Sequence, residues 1–280
     1  MLQSFQDVVT RLIAQKITNP ILEARFLVAG ALLKNPNEIS SAMTFDAVTA
    51  KKIEVLLQRR LNHEPLDKIL GQREFYKYNF VVNKDVLSPR PETEILVEQA
   101  LKYLQHHPQT EILDLGTGSG CIIETLLAEC PTAHGVAVDV SAAALRVAQR
   151  NAQQLGVSER IKFVEKNWFD WQFRLDQKFD LIVSNPPYIP SADILKLDTE
   201  VKDYDPLVAL DGGMDGLASY RRIARLSVEL LNDGGYILLE VGSGQADDVA
   251  KIFAKYLQVC GIVKDLAGIS RCVIMQKPVA

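Results

Sequence analysis

The stretch Glu111–Cys121 reads EILDLGTGSGC. Ile112, Leu113 and Leu115 form a short apolar run of the kind that makes a strand buried on both faces. Gly116, Gly118 and Gly120 then occupy alternate positions, and GCIIETLLAEC (Gly120–Cys130) continues as a helix. A strand turning into a helix over glycines lets backbone amides come close to a ligand at the helix N-terminus. A single glycine at such a turn is ordinary, whereas three in alternation after Asp114 point to a nucleotide-type ligand. The next strand, HGVAVDV (His134–Val140), carries Asp139 at its end, where an acidic side chain can hold ribose hydroxyls. Asp139 is not needed as a helix cap, because Ser141 already caps SAAALRVAQRNAQQLG, which closes on Gly156.

Working outward, strands and helices keep alternating. RIKFVE and FDLIVSN read as strands, followed by a helix near residues 216–231, the strand GGYILLEV, a helix near 245–257 and a final pair ending in RCVIMQK. This order predicts an α/β fold with a mostly parallel sheet covered on both faces. Upstream the period differs. Residues 1–73 are helical throughout, with Leu2, Phe5, Val9 and Leu12 on one side of the first helix. Asn19 and Pro20 mark the start of a second helix, and Thr44, with Asp46 in the first turn, the start of a third. Residues 74–91, rich in aromatics and valines and ending in Pro89 and Pro91, read as a hairpin or extended linker, and residues 92–280 as the α/β domain.

At 280 residues, 48% hydrophobic and 24% charged, the chain suits a soluble globular protein of two domains. A formal net charge of −4 argues against a broad nucleic-acid-binding face. Asp7 and Arg11 interrupt the first apolar stretch, so neither a signal peptide nor a membrane span is expected there. Four cysteines and four histidines without ligand spacing predict no metal site and a reducing, cytoplasmic setting.

Two ligand classes use a glycine turn of this kind. Dinucleotide enzymes need G-x-G-x-x-G, but the third slot here holds Cys121 and the spacing is G-x-G-x-G. That spacing suits S-adenosylmethionine, which has no pyrophosphate to cradle. The strand FDLIVSN (Phe179–Asn185) supplies the deciding feature, since it ends on Asn185 and continues as Pro186-Pro187-Tyr188. Ligands of open parallel sheets lie at the carboxyl ends of the strands. There the Asn185 side-chain oxygen and the Pro186 carbonyl offer two acceptors, the prolines stiffen the loop, and Tyr188 offers a flat wall. Two acceptors can each take one proton of a planar amide or amine nitrogen and aim it at an electrophilic methyl group.

The chain resembles the bacterial protein-(glutamine-N5) methyltransferases that act on class 1 peptide chain release factors. The likeness runs nearly end to end, through EPLDKILGQREFY, LSPRPETEILVEQAL, ILDLGTGSG, NWFD, SNPPYIP and DYDPLVALDGGMDGLASYRRI. It departs from the family pattern at Lys68, Ser88, Asn167 and Asp205. The resemblance implies a class I S-adenosylmethionine-dependent methyltransferase with a Rossmann-like, seven-stranded, mostly parallel sheet and a small N-terminal helical bundle that recognises the substrate. It also implies that Gly116, Thr117, Gly118, Ser119 and Gly120 line the methionine part of the cofactor, Asp139 holds its ribose, Trp168 packs near its adenine and Asn185 borders it. Asn185, Pro186, Pro187 and Tyr188 would bind the glutamine of a Gly-Gly-Gln loop, with Asn185 and Pro186 as the catalytic pair. The product would be S-adenosylhomocysteine, and the enzyme a monomer free of metal, nucleic acid and membrane. Arg90, Glu92 and Glu94 remain open between a site role and a linker clasp with a helix start. A methyltransferase for the exocyclic amine of adenine or guanine also fits NPPY, though the acidic run DILKLDTEVKDYD speaks against it. A non-catalytic cofactor-binding module is a third reading, which the intact NPPY disfavours.

Overall fold

In a computed structural model, residues 2–170 and 172–279 are described, and they divide into two compact units. One unit comprises residues up to Gln72 together with Asp198–Tyr204; the other comprises Arg73–Leu197 and the chain from Asp205 onward.

The first unit is built on helices Phe5–Ala14, Pro20–Leu32, Ala47–Leu61 and Leu66–Leu70. Their apolar faces meet in one core that includes Phe5, Leu12, Leu27, Ile53 and Leu57, all fully or almost fully buried. The first helix opens with a capping box in which Ser4 and Asp7 each accept the other's backbone N–H. Two caps differ from the sequence reading. Asp46, not Thr44, caps the third helix, its carboxylate accepting from the Thr49 amide at 2.7 Å. Thr44 is instead drawn into an antiparallel bridge with Ser4. Asn19 does precede the second helix, but its side chain makes no cap bond and its φ is +55°. Pro20 disfavours the right-handed region at the residue before it, and asparagine is one of few types that tolerate the left-handed one. Arg60 is nearly buried within this unit and donates to Glu23 at 2.5 Å, Glu200 at 2.7 Å and the Glu64 carbonyl at 3.2 Å.

The second unit begins at Arg73, within the hairpin of β1 (Gln72–Phe75) and β2 (Tyr78–Val81), and continues with the helix Thr93–Leu104. Then follow β3 (Glu111–Leu115), helix Cys121–Glu129, β4 (His134–Asp139), helix Ala142–Leu155, β5 (Ile161–Glu165) and β6 (Phe179–Ser184). Helix Ala218–Leu230, β7 (Leu231–Glu240), helix Ala246–Phe253, β8 (Gln258–Lys264) and β9 (Ser270–Gln276) complete it. Seven strands form one sheet in the order β5-β4-β3-β6-β7-β9-β8, parallel from β5 to β7 and antiparallel on both sides of β9. Leu113, Val138 and Ile182 enter one core while Ile112, Ala137 and Leu181 enter another. Neighbouring residues of one strand thus feed opposite layers, which is why these strands read as continuous apolar runs. The chain winds from β3 to β4 and β5 on one side, then crosses to β6 on the other, so the order reverses beside β3. Among the described residues no helix is long and apolar enough to cross a membrane.

Arg60→Ala leaves the partly buried Glu23 without its partner, and is expected to destabilise the helical unit by about 1–3 kcal/mol in urea unfolding. Glu200 is more exposed, so Glu200→Gln should cost under about 1 kcal/mol.

Candidate active site

Parallel pairing sets Asp114 beside Val183, so the chains leaving β3 and β6 emerge as neighbours. The Ser184 hydroxyl donates to the Leu115 carbonyl at 2.5 Å and ties the two exits together. Gly116 therefore starts the glycine turn next to Asn185.

The three glycines are required for three different reasons. All have positive φ, +79°, +56° and +83° for Gly116, Gly118 and Gly120. A Cβ on Gly116 would lie 2.8 Å from the Trp168 indole, which packs flush on this residue. A Cβ on Gly120 would run into the Glu124 carboxyl and come within 3.1 Å of Ala148. A Cβ on Gly118 meets nothing in the chain, and Gly118 lines the adjoining cavity. Gly116 and Gly120 thus serve internal packing, while the space above Gly118 is open.

That cavity is about 610 Å³ and lies wholly in the α/β unit. Gly116, Gly118, Asp139, Trp168, Asn185 and Pro187 line it, so the structure brings together the glycine turn, the acid, the indole and the NPPY exit. Thr117, Ser119, Gly120, Pro186 and Tyr188 are not among its lining residues. Thr117 turns inward, its hydroxyl donating to Asp114 at 2.8 Å. The Ser119 carbonyl accepts from the buried Asn151 amide at 2.9 Å. Tyr188 packs against the core, and its carbonyl accepts from Gln245 Nε2 at 3.0 Å, which holds the loop after β6 to the loop after β7.

Asp139 accepts from the Gly118 amide and the Ser141 amide, each at 2.9 Å. A carboxylate offers about four acceptor positions, so about two remain for a diol. Burial raises its pKa, opposed first by the Ser141 amide and then by the Gly118 amide. Further in, burial lifts the Asp114 carboxyl to about 7, against the pull of Thr117, and Glu240 likewise to about 7, against that of Thr93. Burial also pushes Glu124 well above its ordinary value, with the charge of Asp114 adding to it. No cluster of metal-ligating side chains occurs among the described residues.

Several elements of the site escaped sequence reasoning. Asp85, Val86 and Leu87 form one further stretch of cavity wall and Pro206–Ala209 another. Asp85–Leu87 fall in the stretch that reads as a hairpin or linker and Pro206–Ala209 in DYDPLVALDGGMDGLASYRRI, and neither reading gives them a place in the site. Asn167 lines the cavity, and its side chain accepts from the Phe169 amide at 2.9 Å. Arg90 pairs with Asp205 at 2.8 Å next to Pro206, Glu92 lies 3.7 Å from Arg271, and Glu94 accepts from the Tyr76 amide at 3.0 Å. These are the contacts of a clasp and a helix start.

The fold and the placement of the glycine turn beside NPPY define a methyltransferase, and residues 91–198 match the family model of the Methyltransferase small domain. The helical residues 3–71 match that of the PrmC N-terminal domain. The release factor glutamine methyltransferase of Rhodospirillum rubrum is 42% identical over 96% of this chain and 83% of its own length. That of Agrobacterium fabrum is 38% identical over 95% and 94%. The chain belongs to the release factor glutamine methyltransferase family. Among solved structures, the hMettl16 catalytic domain in complex with the MAT2A 3′UTR hairpin 6 shares the fold, with a TM-score of 0.57 at 16% identity over 89% of this chain and 91% of that one.

Gly116→Ala and Gly118→Ala should separate packing from ligand space. Gly116→Ala displaces Trp168 and should lower the melting temperature, with strain of about 1–3 kcal/mol. Gly118→Ala meets no neighbour and carries only the left-handed backbone cost of about 1–2 kcal/mol. It should nevertheless weaken S-adenosylmethionine binding in calorimetry, because the methyl enters the cavity.

Proposed function

We propose that this protein transfers the methyl group of S-adenosylmethionine to the side-chain amide nitrogen of the glutamine in the Gly-Gly-Gln motif of a peptide chain release factor. The observation that carries the reading is Asn185 at the carboxyl end of β6, on the wall of the cavity that also holds Gly118 and Asp139. Family membership, with relatives named for this substrate, supports it.

The residues fit the cofactor. An acid with acceptor positions to spare stands at the end of β4 for a ribose diol, and Gly118 leaves the turn open where a methionine chain would pass. Trp168 and the half-exposed Phe169 add aromatic surface for an adenine. The bound cofactor supplies an electrophilic methyl group on a sulfonium.

The chain's own work is orientation. An amide nitrogen is a weak nucleophile because its lone pair is delocalised into the carbonyl. Asn185 Oδ1 and the Pro186 carbonyl each accept one of its protons, aim the nitrogen at the methyl group and stabilise positive charge as it grows. The nitrogen keeps both protons during attack, so no general base is required, and the surplus proton leaves after transfer. Tyr188 packs against the core and steadies the loop rather than donating a proton; burial and the nearby Glu240 push its phenol up to about 12. The helical unit, without chemistry of its own, grips the protein substrate.

Labelled cofactor incubated separately with release factor, tRNA and DNA, followed by mass mapping, tests the reading. Label on the glutamine of the Gly-Gly-Gln loop is expected, and label confined to nucleic acid would overturn it. Asn185→Ala should lower kcat by on the order of 10²-fold while sparing cofactor affinity, because the lost contact matters most as charge develops.

A further inference from the structure

Two buried side chains stand behind Asn185 that the proposed reaction does not touch. Thr93 begins the helix Thr93–Leu104 and Glu240 ends β7; they are 2% and 3% exposed. The Thr93 hydroxyl donates to Glu240 Oε2 at 2.5 Å, and Asn185 Nδ2 donates to Thr93 Oγ1 at 3.2 Å. The protons fix these directions. Thr93 has one hydroxyl proton and an ionised carboxylate can only accept it, so the hydroxyl oxygen has only lone pairs to offer Asn185. The atom facing it must therefore be the amide NH₂. Asn185 lines the cavity, and Oδ1 is the amide atom left for a ligand there.

We infer that Thr93 and Glu240 are positioning residues that set the Asn185 amide with its oxygen toward the substrate, and that this setting holds while Glu240 is ionised. The inference rests on the proposed glutamine methylation and adds to it the device that keeps the acceptor an acceptor. When Glu240 takes up a proton, the same bonds can run backwards. Glu240 then donates to Thr93, Thr93 donates to Asn185 Oδ1, and the NH₂ group turns toward the cavity. Two NH₂ groups facing each other have donors on both sides and no acceptor, so the substrate amide loses one of its two holds.

The surroundings of Glu240 place this change near neutral pH. Burial raises its carboxyl to about 7; the Thr93 bond opposes this, the Glu92 charge adds to it, and Arg271 and the Asn185 amide oppose it. Tyr188, Tyr220, Cys121 and Cys272 also face it. Each of these four is itself pushed up by burial, Tyr188 and Cys272 to about 12. A group that must be ionised to act supports activity above its pKa and loses it as pH falls through that value.

The test is steady-state methylation of a purified release factor by the full-length enzyme across about two pH units on either side of neutrality. Wild type, Thr93→Ser, Thr93→Val and Glu240→Gln are compared, with cofactor affinity followed by calorimetry. Wild-type kcat should fall toward acid pH with a midpoint near 7. Thr93→Val should lower kcat by about 10–100-fold with KM and cofactor affinity nearly unchanged, while Thr93→Ser, which keeps the hydroxyl, stays within about threefold of wild type. Glu240→Gln should have a lower plateau and lack the acid limb. Equal rates for Thr93→Val and Thr93→Ser would overturn the inference. So would an acid limb unchanged in Glu240→Gln, which would assign it to Asp114, also raised to about 7. Should Glu240→Gln fail to fold, the Thr93 pair decides alone. A wild-type enzyme that leaves the glutamine unmethylated at every pH would instead overturn the reading of the substrate, and this inference with it.

Discussion

Ile112, Leu113 and Asp114 of β3 pair in parallel with Leu181, Ile182 and Val183 of β6, and this register decides where the chemistry can occur. The strands are buried on both faces, so a shift by one residue would turn the apolar sets of both cores the wrong way. With the register fixed, the glycine turn and the NPPY loop leave the sheet side by side, at the place where strand order reverses. Ser184 then locks the exits by donating to the Leu115 carbonyl. The cavity follows from this arrangement, since two neighbouring loops leave the same edge and the sheet closes the floor between them.

Beneath the site lie carboxyls that an ordinary core would not contain. Asp114, Glu124 and Glu240 are all buried, and burial raises the pKa of each. Asp114 Oδ1 and both Glu124 oxygens have no hydrogen-bond partner among the described residues. An isolated charge in such a place is costly, and protonation relieves it. Glu240 differs because Thr93 donates to it and Arg271 lies near, so its ionised form has support that Glu124 lacks. Placed behind the one side chain whose orientation matters most, that support gives the acceptor a fixed direction without a catalytic base.

The sequence carried those parts of the site whose signals are local. Alternate glycines after an apolar run, Asp139 closing the next strand, Ser141 capping the helix after it and NPPY at the end of β6 are each contained within a dozen residues, and each stands where the periodicity put it. Neither sequence distance nor propensity could reveal the contacts made by folding. Thr93 meets Glu240 across 147 positions and Asn185 across 92. Pro206–Ala209 line the cavity beside Asp205, which pairs with Arg90 across 115 positions. The caps at Asn19 and Asp46 were misread for a related reason. A bridge between Ser4 and Thr44 and the backbone restriction imposed by Pro20 outweighed the local preference of each residue. The roles of Gly116, Gly118 and Gly120 look identical in the sequence and separate only when Trp168, open space and Glu124 are found above them.

The central claim is that the nitrogen to be methylated is held by acceptors and not by a base. A crystal structure of the enzyme with S-adenosylhomocysteine and a Gly-Gly-Gln peptide tests it most directly. The account predicts the glutamine Nε2 within hydrogen-bond distance of both Asn185 Oδ1 and the Pro186 carbonyl, facing the cofactor sulfur, with Asn185 Nδ2 still turned to Thr93. A glutamine amide bound away from Asn185, or held against a carboxylate or histidine positioned to remove its proton, would contradict it.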